Sequence, residues 1–164
     1  MTAALEPCRG CGGLFAPFDG PVHDYMESSP ACWRAFGHVL AAEYSTPELL
    51  PVHRLSVDTY AVQHPGGASR QAIQSVGLHL ARLYLQLEHP RPPKETNEVM
   101  RAFAGRKESL TRLTPPEKFS MTLADVAPFI GAPPHAAKTM EWARAAWNDW
   151  SGAHEYIKRW ATAA

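Results

Sequence analysis

The sequence has little of what usually places a protein. It carries only three cysteines in 164 residues, and an odd number with C-x2-C spacing fits a reducing compartment and a metal better than a disulfide framework. It has no net charge: 16 lysines and arginines stand against 16 aspartates and glutamates, with no basic run longer than two residues. Such a surface gives no reason to expect nucleic acid as a partner. Nowhere do about 18 apolar residues follow one another, and no basic segment precedes an apolar stretch near the N-terminus, so neither a membrane span nor a secretory leader is expected. Strand signals are scarce, and no internal repeat or low-complexity tract appears. These absences lead to the expectation of a soluble, cytoplasmic protein.

What is present sets the architecture. A hydrophobic fraction of 45% over 164 residues is enough to bury one sizeable core, so residues 1–164 read as a single domain. Residues 1–28 hold glycines and three prolines without helical period, and read as an irregular lobe. Residues 29–164 read as a helical bundle of five or six helices, making the fold class all-α. Ser29 and Pro30 signal a helix start, and that helix runs to about Tyr44. A second spans about Glu48 to Gln63 and stops at His64-Pro65-Gly66-Gly67. A third, from about Ser69 to Glu88, has the clearest period, through Ile73, Val76, Leu80, Leu83, Tyr84 and Leu87. A short helix near Lys94 to Gly105, a long connection over 106–119, a capped turn at Thr122 to Asp125 and a final helix to about Ala161 complete the bundle. Ser151-Gly152 is the expected bend in that last helix.

Chemistry concentrates in the lobe. Cys8-Arg9-Gly10-Cys11-Gly12-Gly13 is a knuckle: two thiolates share one side of a tight loop, and the glycines let backbone N–H groups approach the sulfurs. Cys32 falls at the third helical position, where the unpaired N–H groups and the positive helix end stabilise a thiolate. Three cysteines without a fourth point to a zinc ion completed by histidine, and His23 is the nearest candidate. Cys8, Cys11, His23 and Cys32 are therefore the expected ligands, with His53, His64 or Asp24 as replacements for His23. The lobe's own large apolar residues are few, mainly Phe15, Phe18, Tyr25 and Trp33, so a metal would supply folding energy that burial cannot. The bland alternative, ordinary loop thiols or a redox pair, lacks the βαβ setting of thioredoxin-like motifs.

The bundle offers a second, looser set of polar residues. His53 and His64 lie on one stripe of the second helix, but eleven residues separate them by about 16 Å, too far to share one metal. An open site in the bundle would have to draw on His53, Asp58, Tyr60, His79 and His154 from different helices. For His154, between tryptophan and isoleucine neighbours, the simpler reading is a buried neutral imidazole with one hydrogen bond. His79 reads as a boundary residue, Arg54 with Asp58 as a helix-face ion pair, and Trp142 and Trp160 as the tryptophans that contact a partner or ligand.

Three segments carry a resemblance. Cys8-Arg9-Gly10-Cys11-Gly12, Ser29-Pro30-Ala31-Cys32-Trp33 and above all the run from Val52-His53-Arg54-Leu55-Ser56-Val57-Asp58 to His64-Pro65-Gly66 resemble a bacterial family of uncharacterised proteins, a domain of unknown function. The similarity extends through Gln74 to Leu80 and on to the tryptophan-rich final helix. It implies a small helical domain with a metal and brings no activity with it. Arg9 stands where such knuckles often have proline, which leaves the loop less rigid without affecting ligation. The functional expectation is a zinc-stabilised helical protein that binds a protein partner or a small molecule; the alternative is a metal-dependent hydrolase or thiol transferase with its site inside the bundle.

Overall fold

Capping chemistry sets the helix boundaries. Ser29 Oγ accepts the Cys32 N–H and Ser69 Oγ accepts the Ala72 N–H, each at the start of a helix. Thr122 and Asp125 form a reciprocal capping box. The computed structural model describes residues 3–163, so Met1 and Thr2 of the expected lobe, and Ala164, lie outside the described residues. These hold seven α-helices: α1 (Pro30–Ser45), α2 (Leu50–Gln63), α3 (Arg70–Glu88), α4 (Pro93–Arg106), α5 (Leu123–Val126), α6 (His135–Asp149) and α7 (His154–Thr162). The only strands among them are β1 (Glu6–Pro7) and β2 (Leu14–Phe15), paired antiparallel with Glu6 opposite Phe15. The fold is all-α with a small N-terminal lobe.

The helix count exceeds six because the C-terminal segment breaks. A 3-10 turn over Ser151–Ala153 separates α6 from α7, and the Trp150 N–H is shared between the Ala146 and Trp147 carbonyls. The bend has a packing reason: Trp150 is almost fully buried and its indole N–H donates to the Val62 carbonyl at 3.0 Å. A straight helix would carry α7 away from α3, against which it packs.

Helix α2 lies at the centre, against α1, α3 and α6. That position explains why its buried residues include polar ones, namely Ser56, Asp58, Thr59 and Gln63, alongside Val52, Leu55, Tyr60 and Val62. Buried polar groups need partners, and most here have them. Gln63 donates to the Met121 carbonyl at 2.7 Å and accepts from the Trp142 indole at 2.9 Å. Trp142 and Trp160, read from the sequence as contacts for a partner, are instead core residues; Trp160 donates its indole N–H to Ser109 Oγ. They lie off the main apolar stripe because α6 and α7 are covered on more than one side.

Candidate metal centre

The lobe is shaped to present two sulfurs. Strands β1 and β2 bracket the knuckle, the Cys8 N–H donates to the Gly13 carbonyl at 2.8 Å, and the Gly12 N–H donates to the Cys8 carbonyl at 2.9 Å. Gly12 has φ of 77°, a conformation that a side chain would strain. Gly10 is required for a different reason. A Cβ there would lie 2.1 Å from the Glu27 carbonyl oxygen and 2.6 Å from His64 Cδ2, so the loop lies directly against the histidine that ends α2.

Helices α1 and α2 supply the other two groups. Cys32 sits in the first turn of α1, and His64 caps the C-terminus of α2. The two helices run antiparallel as a hairpin, so the end of the second returns to the start of the first. Cys8, Cys11 and Cys32 Sγ and one His64 ring nitrogen all lie within 4.8 Å of one another, and all four residues are buried. The Cys11 and Cys32 sulfurs are 3.9 Å apart, and Cys32 Sγ is 3.4 Å from His64 Nε2. Tetrahedral zinc with bonds of about 2.3 Å to sulfur and about 2.0 Å to nitrogen requires edges of about 3.8 Å and about 3.5 Å. The donor set fits the ion.

Surrounding hydrogen bonds orient these ligand atoms. His64 Nδ1–H donates to the Tyr60 carbonyl at 2.6 Å, which fixes the tautomer and leaves the Nε2 lone pair facing Cys32. Its ring stacks on Tyr60 at 3.8 Å, and Tyr60 stacks in turn on Phe36 at 3.9 Å. Backbone N–H groups of Ser29 and Gly13 donate to Cys8 and Cys11 Sγ at 3.3 and 3.4 Å, as expected around thiolates. The Tyr60 hydroxyl points at Cys32 Sγ, 3.7 Å away, and burial, with Cys32 beside it, pushes that phenol well above its ordinary range.

Among themselves the three thiols compete for one negative charge. Hydrogen bonds from Cys11 and Cys32 hold Cys8 far below the usual thiol range. At Cys11 the hydrogen bond from Cys32 is outweighed by Cys8 and burial, which push it up to about 12. Cys32, between Cys11 and Cys8 and buried, is pushed far higher. A central dication is the chemical partner that lets all three ionise together.

His23, the fourth ligand expected from spacing, is outside this group. Its Nδ1 accepts the Tyr25 and Met26 N–H groups, both at 3.3 Å, and its ring packs edge-on against Tyr25 and Trp33. Burial pushes this imidazole below its ordinary value. Asp24 is exposed on the same turn. His64 takes the fourth place, although 32 residues separate it from Cys32.

The bundle residues considered for an open site do not form one cluster: His53 and Asp58 line one cavity between α2, α3 and α4, whereas Tyr60 and His154 lie elsewhere. His53 Nδ1 is 2.9 Å from Glu43 Oε2. Asp58 is buried and meets His79 Nδ1 at 2.6 Å and Gln86 Nε2 at 2.7 Å. Tyr60 belongs to the cysteine cluster, and His154 stacks on Trp147 at 3.8 Å while donating to its carbonyl at 2.7 Å. His154 is thus the satisfied imidazole of the simpler reading, whereas His79 is more than a boundary residue because it partners a buried carboxylate. Arg54 does not pair with Asp58; its guanidinium donates to Asn97 Oδ1 and to Met100 Sδ, and Asp58 is engaged across the interface with α3. Among the described residues no helix is long and apolar enough to cross a membrane.

A family model described as a family of unknown function (DUF5946) matches residues 6–151, from the first strand through the end of α6. No curated protein and no solved structure matches.

Proposed function

We propose, for a chain that belongs to this family of unknown function, that Cys8, Cys11, Cys32 and His64 hold one structural zinc ion that fastens the N-terminal lobe to the α1–α2 hairpin. The observation that carries this reading is the convergence of three sulfurs and one correctly tautomerised nitrogen, all buried, within 4.8 Å. Four protein donors close the coordination shell, and a closed shell does not activate water. The ion would therefore stabilise the fold and leave chemistry or recognition to the bundle, where binding of a protein partner or small molecule is the proposed role. Three cysteines in one cluster with no disulfide between them fit a reducing compartment, which supports a cytoplasmic location.

Elemental analysis of the purified chain tests the reading. The expected result is about one zinc per chain, lost on Cys8→Ser or Cys11→Ser together with order in the lobe. Stoichiometric metal retained after either substitution would overturn it.

A further inference from the structure

A separate cavity lies on the far part of α2. His53, Arg54, Asp58, Arg82, Asn97 and Met100 line a cavity of about 320 Å³ between α2, α3 and α4, sized for a small ligand. His53 is eleven residues before His64, roughly 16 Å along the helix, so the cavity is separate from the cysteine cluster.

Behind His53 lies a buried acid. Glu43 is fully buried and receives three groups: the Ser56 hydroxyl and His135 Nε2 on one oxygen, and His53 Nδ1 on the other. His135 Nδ1 accepts the Gly131 N–H at 2.9 Å, so its single proton sits on Nε2 and is given to Glu43. That tautomer also removes His135 as a metal ligand at this spot. Glu43 in turn fixes the proton of His53 on Nδ1 and leaves His53 Nε2 without a protein partner among the described residues.

Two cations in the lining are underused. Arg54 has only neutral partners, Asn97 and Met100, although it is charged. The nearest carboxylate contact of the Arg82 terminal nitrogens is long, 3.8 Å to Asp58, and leaves them with donors to spare. Asp58, the one acid in the lining, already receives hydrogen bonds from His79 and Gln86. Two guanidinium groups match an anion with several oxygens and suit phosphate in particular, while the His53 Nε2 lone pair can only accept from a protonated oxygen of that anion.

We propose that this cavity binds the phosphoryl group of a small molecule, with Arg54 and Arg82 donating to its oxygens and His53 Nε2 accepting its hydroxyl proton in a hydrogen bond. The test is titration of the full, zinc-loaded chain with inorganic phosphate at constant ionic strength, followed by calorimetry and by the ring C–H resonances of His53. The expected result is saturable binding of one phosphate per chain, with movement of the His53 resonances, and a loss of affinity of about tenfold or more in Arg54→Gln and in Arg82→Gln. Arg54 is exposed and its contacts are neutral, so Arg54→Gln decides the matter even if Arg82→Gln fails to fold. No saturation at millimolar phosphate, unchanged affinity in Arg54→Gln, or equal binding of acetate would each overturn the assignment.

Discussion

Replacing His64 by alanine separates a metal ligand from a merely buried ring. The substitution removes a stacked imidazole in contact with Tyr60 and Gly10, and it removes the hydrogen bond to the Tyr60 carbonyl. Loss of a buried aromatic-sized group costs about 3 kcal/mol by itself. If zinc is bound, one of four ligands goes too. Structural zinc in small domains contributes about 10–16 kcal/mol, so one ligand accounts for about 3–4 kcal/mol more. The total, about 6–7 kcal/mol, is comparable to the whole stability of a typical domain. Urea unfolding of the wild-type chain and of His64→Ala, each with and without a strong chelator, isolates the metal-dependent part because the packing loss appears in both conditions. The penalty should shrink by about 3–4 kcal/mol when chelator is present. His23→Ala serves as the comparison and should keep its zinc, since His23 Nδ1 is occupied by two backbone N–H groups. A penalty for His64→Ala that is the same with and without chelator, or loss of zinc in His23→Ala instead, would rule out His64 as a ligand.

Further expectations follow from particular contacts. Gly10→Ala places a methyl group against the Glu27 carbonyl and the His64 ring, and should cost about 1–3 kcal/mol in denaturant unfolding while weakening zinc retention against a competing chelator. Glu43→Ala leaves His135 Nε2–H and the Ser56 hydroxyl buried without an acceptor, and should lower stability by at least about 3 kcal/mol, with Glu43→Gln clearly milder; equal stabilities of the two variants would contradict it. At Glu88 burial opposes ionisation, but the Trp147 indole N–H at 2.9 Å and the Lys158 ammonium at 3.1 Å outweigh it and hold the carboxyl below its ordinary 4.5. A lowered folded value stabilises above the unfolded value and loses that contribution as pH falls through the folded one. With both side chains partly exposed, Glu88→Gln should cost about 0.5–1 kcal/mol at neutral pH, and the difference from wild type should fade in thermal unfolding below pH 4.5.

Local chemistry made much of this molecule legible in advance. The capping serines, the Pro30 start, the Pro65-Gly66-Gly67 stop and the heptad-like run in α3 act within a few residues, so the first three helices lie within a residue or two of where the pattern places them, apart from the 3-10 turn Pro47–Leu49 that precedes α2. The knuckle was legible for the same reason: Cys8 and Cys11 are held by their own loop, and Cys32 by the cap at Ser29.

The fourth member of the cluster was not fixed by any local rule. Spacing favours His23, which is close in sequence, but nearness along an irregular loop says nothing about direction, and that ring turns toward Tyr25 and Trp33. His64 reaches Cys32 because α1 and α2 are of similar length and antiparallel. The same limit applied to the polar residues of α2. A helical period shows that Arg54 and Asp58 share a side, yet α3 and α4 provide Asp58 with His79 and Arg54 with Asn97. Thus the helices, their ends and a pair of thiols on a glycine loop can be read from the chain alone, since each depends on backbone preferences over one or two turns. Tertiary structure alone decided which histidine meets the sulfurs and which charges are left without a partner, because those outcomes depend on how helices far apart in the chain are packed side by side.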